Sequence, residues 1–178
     1  MKGGGELFEM DLKEYFSRVR NGDREAFAEI YEELKRPVFT IVCRIVQSKE
    51  IAEDVTQDVF VKLFLSPPDP SVKNLRAWIF RITRNSAIDA LRKKQSTDID
   101  GVEFAMEDEI NALATRIDIE SAIKKLSRIE REILSLRINA ELNFNEISLI
   151  VGLSVPATYR KYRKAIKMLR EYLDGGAL

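Results

Sequence analysis

Between Asn143 and Arg170 the order of caps and breakers leaves the backbone few options. Asn143 can accept a hydrogen bond from the backbone at Glu146 while Glu146 reaches back, the reciprocal arrangement that opens a helix. Gly152 stands where a helix end favours a left-handed residue, and Ser154 then caps a second helix with Pro156 in its first turn. The segment predicts helix, tight turn, helix. In the second helix Thr158, Tyr162, Ala165 and Leu169 recur at helical spacing and can face a core. That leaves Pro156, Arg160, Arg163 and Lys167 on the opposite side, flanked by Tyr159, Lys161 and Lys164. No acid occurs from Ser154 to Arg170. A helix packed on one side and cationic on the other suits a DNA major groove better than the other reading of a charge run, a solvated basic surface.

The rest of the chain also reads as helical. Asp11 can cap a short helix bearing Leu12, Tyr15, Phe16 and Val19; Asn21-Gly22 breaks the chain, and Asp23 caps a second with Ala26, Phe27, Ile30, Tyr31 and Leu34 on one side. Pro37 is expected to start or kink a third running to about Gln47. Ser48 opens a fourth, which ends before Ser66-Pro67-Pro68-Asp69-Pro70, where three prolines remove donors and fix φ. A long helix then runs from near Asn74 to about Lys94. Ser127-Arg128-Ile129-Glu130 is a capping box opening a helix with Ile133, Leu134 and Leu136. Gly3-Gly4-Gly5 and Gly175-Gly176-Ala177-Leu178 are expected to fray.

Composition narrows the function. Histidine is absent, which removes Ser-His-Asp, Cys-His and Cys/His zinc chemistry together. No Gly-rich loop precedes Lys-Ser or Lys-Thr, so no phosphate-cradling motif is present. The expectation is a chain without catalytic residues, metal or cofactor. The lone Cys43 lies in an apolar helical run and reads as a buried thiol. No apolar run is long enough to cross a bilayer and no leader pattern is seen at the N-terminus, so a cytoplasmic protein without membrane insertion is expected.

Formal net charge is zero, with 29 basic and 29 acidic residues, but the charges are segregated. Cations crowd Lys73 to Lys94 and Arg160 to Arg170, whereas Asp98 to Glu120 is acidic. Two cationic surfaces on one chain suggest two contacts with one polyanion. The acids of Asp100 to Asp118 could lie against those cations and draw the chain into a compact form when it is alone.

Two segments of the first part stand out. Glu53 to Leu63 places Val55, Val59 and Leu63 on one helical face and Asp54, Gln57, Asp58 and Lys62 toward another, which is either solvent surface or a docking face. In Leu75 to Lys94 the residues Arg81, Arg84, Asn85 and Arg92 can share a cationic stripe while Leu75, Ile79 and Ile82 pack inward. Trp78, among apolar neighbours, reads as core.

These segments resemble region 2 of the extracytoplasmic-function sigma factors of the sigma-70 family. The resemblance runs from Asp23, Phe27 and Tyr31 through Glu53-Asp54-Val55-Thr56-Gln57-Asp58-Val59-Phe60 to Leu75-Arg76-Ala77-Trp78-Ile79-Phe80-Arg81-Ile82, Arg84-Asn85 and Ile88-Asp89. The tail, from Ala122 and Leu126 through Glu130-Arg131-Glu132 and Glu146-Ile147 to Ser154 and Ala165, is similar to region 4. The resemblance implies an all-α fold of two small helical domains: region 2 over 8–94, an acidic linker over 95–113 and region 4 over 114–174. It also implies a transcription initiation factor that binds the β′ clamp and β flap of core RNA polymerase, promoter DNA and an anti-sigma factor.

Position by position, the resemblance assigns Asp54, Gln57, Asp58 and Lys62 to polymerase binding. It assigns Lys73, Asn74, Arg76, Arg81, Arg84, Asn85 and Arg92 to the −10 element, with Ser66 to Asn74 as the loop that captures a flipped base. For the −35 element it assigns Ser154, Tyr159, Arg160, Lys161, Arg163 and Lys164, with Tyr159, Arg160 and Arg163 toward base edges and Lys161 and Lys164 on phosphates. Pro156-Ala157-Thr158 replaces the Gly-Thr-Val frequent in that family, and Pro67-Pro68-Asp69-Pro70 is an unusually rigid loop. A stand-alone helix-turn-helix regulator, with the first unit dimerising or sensing a signal, is the alternative.

Overall fold

The structure, a computed structural model, describes residues 4–97 and 114–175, with side chains described over 12–94 and 119–174. Among the described residues it is entirely helical, in the order α1 (Gly4–Arg20), α2 (Arg24–Val46), α3 (Lys49–Leu65), α4 (Leu75–Thr97), α5 (Ala114–Lys124), α6 (Arg128–Ile138), α7 (Phe144–Val151) and α8 (Val155–Gly175). Local chemistry sets most of these boundaries. Asp23 accepts from Ala26 N at 3.0 Å to start α2, Ser48 caps α3 through Ile51 N, and Asn74 Oδ1 accepts from Ala77 N at 2.8 Å to start α4. The Ser127 and Asn143 boxes open α6 and α7, with Glu130 and Glu146 accepting from the backbone N–H of their own caps.

Three expectations are corrected. α1 begins at Gly4 rather than at Asp11, and α4 continues to Thr97, three residues past the expected end. Pro37 neither starts nor breaks a helix: α2 runs through it, because Leu34, Val38, Ile41, Val42 and Ile45 continue one buried face across the proline. Burial of that face outweighs the hydrogen bond the proline cannot donate. The acidic stretch at 98–113 and the last three residues lie outside the described residues.

α2 is the centre of the bundle, with α1, α3 and α4 around it and α6 against it. The resemblance implies two small helical domains, and their cores are not kept apart. Ile41, Val42, Ile79, Phe80 and Ala87 of the first four helices belong to one buried cluster with Ile133, Leu136, Leu142, Ile147 and Ile150 of α6, its following turn and α7. A smaller cluster, Ile123, Leu126, Leu134 and Ala165, ties α5 and α6 to α8. Cys43 is buried and unbridged.

Candidate nucleic-acid and polymerase interfaces

The outer face of α3 is built by its inner one. Ala52, Val55, Thr56, Val59, Phe60 and Leu63 are buried, which turns Asp54, Gln57, Asp58 and Lys62 to solvent. The same i, i+3, i+4 and i+7 spacing carries Val61 and Leu65 outward, 54% and 72% exposed. Sequence reasoning named only the polar members of this stripe. Its apolar members were legible in the same periodicity, and Phe64, edge-on to Phe27 at 4.9 Å, widens the patch.

The loop before α4 is fixed locally. Asp69 Oδ1 accepts from Ser71 N at 2.8 Å, Asp69 O accepts from Val72 N at 3.1 Å, and Arg20 donates to Pro68 O. Hydrogen bonds from the Ser71 hydroxyl and backbone hold the Asp69 carboxyl below the usual carboxylate range.

Along α4 and the two residues before it, the seven cationic and amide candidates divide. Lys73, Arg81, Asn85 and Arg92 are exposed, whereas Asn74, Arg76 and Arg84 are half-buried against the later helices. Arg84 Nε donates to Glu132 Oε2 of α6 at 2.8 Å, Arg76 Nε donates to Ala140 O, and Asn74 Nδ2 donates to Glu146 Oε1 of α7. The expected stripe of Arg81, Arg84, Asn85 and Arg92 is thus corrected: Arg84 turns away from the other three, toward a carboxylate whose side chain is 1% exposed. Trp78 packs against the core and Ile82 is half-buried.

The turn from α7 to α8 follows the predicted chemistry. Gly152 adopts φ 72°, which a side chain would strain, and its N–H and that of Leu153 both donate to Ser148 O. Ser154 Oγ accepts from Ala157 N at 3.3 Å to start α8. Thr158 and Ala165 are fully buried, Tyr162 and Leu169 half-buried, and Pro156, Tyr159, Arg160, Arg163 and Lys167 exposed. Tyr159 stands edge-on to Phe144 at 5.2 Å, with the Arg163 guanidinium 6.0 Å from its ring centre. Lys161 is half-buried, and Lys164 Nζ lies 3.3 Å from Glu130 Oε1 of α6. Burial raises the Glu130 pKa, but hydrogen bonds from Ser127 and the Lys164 ammonium outweigh it and hold the carboxyl below its ordinary value.

Sequence reasoning missed a third set of polar residues, those between the early and late helices. Arg44 of α2 makes a two-pronged pair with Glu120 of α5, and Arg131 of α6 donates through Nε to Arg44 O at 3.1 Å. Burial, with Arg44 beside it, lowers the Arg131 pKa from its ordinary value. Partners 76 and 87 residues apart leave no local signature.

Against this geometry, residues 30–97 match the family model described as Sigma-70 region 2. Curated relatives span nearly the whole chain. The ECF RNA polymerase sigma factor SigW of Bacillus subtilis (strain 168) is 25% identical over 183 residues, covering 93% of this chain and 98% of its own. The RNA polymerase sigma factor SigZ of the same organism is 28% identical over 152 residues, covering 83% and 86%. The chain is thus similar to sigma factors of the sigma-70 family, through region 2 over residues 30–97 and through relatives that match along most of its length. Two solved structures share the fold. One is CnrH in complex with the cytosolic domain of CnrY (TM-score 0.66, 23% identity, covering 93% of this chain and 98% of that one). The other is the sigma factor RpoE in complex with the anti-sigma factor NepR from Bartonella quintana (TM-score 0.67, 22% identity, covering 83% and 96%). Among the described residues no helix is long and apolar enough to cross a membrane.

Proposed function

We propose that this chain is a sigma factor of the extracytoplasmic-function type, which directs core RNA polymerase to promoters by docking through α3 and presenting α4 and α8 to DNA. The observation that carries the reading is the exposed stripe Asp54, Gln57, Asp58, Val61, Lys62 and Leu65, continuous along one side of α3. Its mixture of acids, an amide and bare aliphatic groups is what a helical protein partner engages: apolar area supplies affinity and the charges set register. The partner is the polymerase β′ clamp, with the β flap taking the later helices.

The last four helices act as region 4, with α7 and α8 as the helix-turn-helix. α8 offers Tyr159, Arg160 and Arg163 to the base edges of the −35 element, with Ser154 and Lys161 at the phosphates. Lys164 is drawn toward Glu130 and contributes less to that surface. On α4 and just before it, Lys73, Arg81, Asn85 and Arg92 hold the −10 strand, and Asn74, Arg76 and Arg84 join them once released from the later helices. Two linked modest contacts give the affinity that neither gives alone. By analogy with RpoE and NepR, an anti-sigma factor is the expected regulator, and the site of action is the cytoplasm.

Reconstituted transcription tests this. Core polymerase with the chain should start RNA at discrete sites on a genomic DNA library, and Asp58→Arg should abolish those starts while leaving helicity unchanged. DNA shifted equally well without polymerase, with no specific starts, would instead favour the stand-alone regulator.

A further inference from the structure

Three side chains from two other helices converge on the ring of Phe144, the first residue of α7. Tyr159 and Tyr162 of α8 stand edge-on to it, each with its ring centre 5.2 Å away and with interplanar angles of 88° and 65°, and the Arg137 guanidinium of α6 lies 5.6 Å from its centre. Arg137 is itself tied down, donating through Nη1 to Leu142 O at 3.0 Å. The backbone brings these groups together. The Asn143 box fixes the start of α7, the Gly152 turn sets α8 against it, and residues three apart on α8 present one row to a single neighbour.

Tyr162 is half-buried in this arrangement, but Tyr159 keeps 45% of its surface exposed on the outward side of α8, with Pro156, Arg160 and Arg163. An exposed tyrosine on a helix ordinarily samples more than one rotamer. Here Phe144 bounds the ring on one side, and Arg163, one turn further along α8, bounds it on another, with its guanidinium 6.0 Å from the ring centre and Nη1 3.5 Å from the hydroxyl. The ring is held before any ligand arrives, its hydroxyl beside a guanidinium and its remaining surface open to solvent.

Bases in a duplex are stacked, so a side chain entering the major groove meets their edges and not their faces. The one apolar group on those edges is the C5 methyl of thymine. A hydrophobic ring fixed among cations near the start of the second helix of a helix-turn-helix therefore suits a contact that only thymine offers. We infer that Tyr159 reads the methyl group of one thymine in the −35 element, and that Phe144, acting through Tyr159, is the residue that positions it. Order gives the contact its discrimination: a ring already fixed loses little freedom on binding and does not swing aside for a base without the methyl. The inference rests on the proposed function of α8 and names what one of its base contacts selects.

The test uses the full chain to select duplexes from a randomised library, once with core polymerase and once without, and the defined sequence obtained supplies the probe. Each of its thymines, on either strand, is then replaced singly by deoxyuridine, which removes the methyl and nothing else. At one of them wild type should lose about fourfold in binding, the factor for one methyl group taken out of an apolar contact, and Tyr159→Ala should show no loss there. Phe144→Leu, with helicity unchanged, should cut that factor below about twofold while leaving the preference at the position read by Arg160 intact, which a general loosening of α7 against α8 would not do. Should Phe144→Leu lose helicity, Arg137→Ala, which lifts an exposed guanidinium from the Phe144 ring, takes its place and should lower the factor to about twofold. No methyl-dependent position in wild type, a methyl effect that survives in Tyr159→Ala, or a folded positioning variant that keeps the full factor or flattens every preference alike would overturn the inference. A defined sequence obtained only without polymerase would count against the proposed function while leaving the methyl comparison in force, and a polymerase-dependent sequence with no methyl-dependent position would do the reverse. No defined sequence in either condition would overturn both.

Discussion

α4 and α8 both carry dense cations, yet they hold them in opposite ways. On α8 the small or short residues Thr158 and Ala165 are fully buried, and Arg160, Arg163 and Lys167 stand free of the core on the far side. On α4 the inward side is itself partly cationic, so Arg76 and Arg84 are 13% and 15% exposed and end on acceptors from elsewhere in the chain. A run of cations thus marks a helix suited to a polyanion, but packing decides which of the cations are available. The difference leaves the α8 cations open to solvent and α4 half-committed to its own chain.

The largest effect expected from this contrast is on stability. Arg84→Ala leaves the Glu132 carboxylate buried with Arg128 as its remaining cation and should destabilise the fold by about 2–3 kcal/mol in urea unfolding. Arg160→Ala should stay within about 0.5 kcal/mol of wild type in the same measurement. Equal effects would dissolve the contrast.

The next effect sharpens the α8 side. Arg160→Ala should cost about 1–3 kcal/mol of promoter binding by the holoenzyme and relax preference at one −35 position, whereas Lys164→Ala should weaken all promoters slightly and alike. Competition assays on a panel of single-base promoter variants distinguish the two. Loss spread evenly over every base for Arg160→Ala would assign it to phosphate instead.

The smallest effect is a pH dependence inside the later helices. The folded pKa of Glu130 is depressed, so its contribution to stability is fully present above the unfolded value of about 4.3 and is lost as pH falls through the folded value. Thermal melts between pH 6 and about pH 3 should therefore flatten in Glu130→Gln relative to wild type. Unchanged slopes would mean that the Ser127 and Lys164 contacts carry no net energy.

Which of these features could be read from the sequence depends on how far apart the interacting groups lie along the chain. Caps at Asp23, Ser48, Ser127, Asn143 and Ser154 were legible because donor and acceptor lie three residues apart, and the α3 and α8 faces because 3.6-residue periodicity sorts them. Gly152 was legible because a left-handed helix end has few other occupants. Pro37 misled because the proline's local preference lost to a buried face running the length of α2. Arg84 misled for a different reason: periodicity gave its face only approximately, and its partner Glu132 is 48 residues away. The shared core was illegible on the same ground, since Ile79 and Ile133 each look like the centre of a separate small domain until the fold brings them into one cluster.

Hydrogen exchange of the arginine Nε–H groups in the free chain tests the central contrast most directly. Arg84 Nε–H bonds to Glu132, Arg76 Nε–H to Ala140 O and Arg131 Nε–H to Arg44 O. In heteronuclear NMR spectra these three signals should persist with slow solvent exchange, while those of Arg160 and Arg163 exchange rapidly with water. An Arg84 signal that exchanges as fast as that of Arg160 would contradict the account.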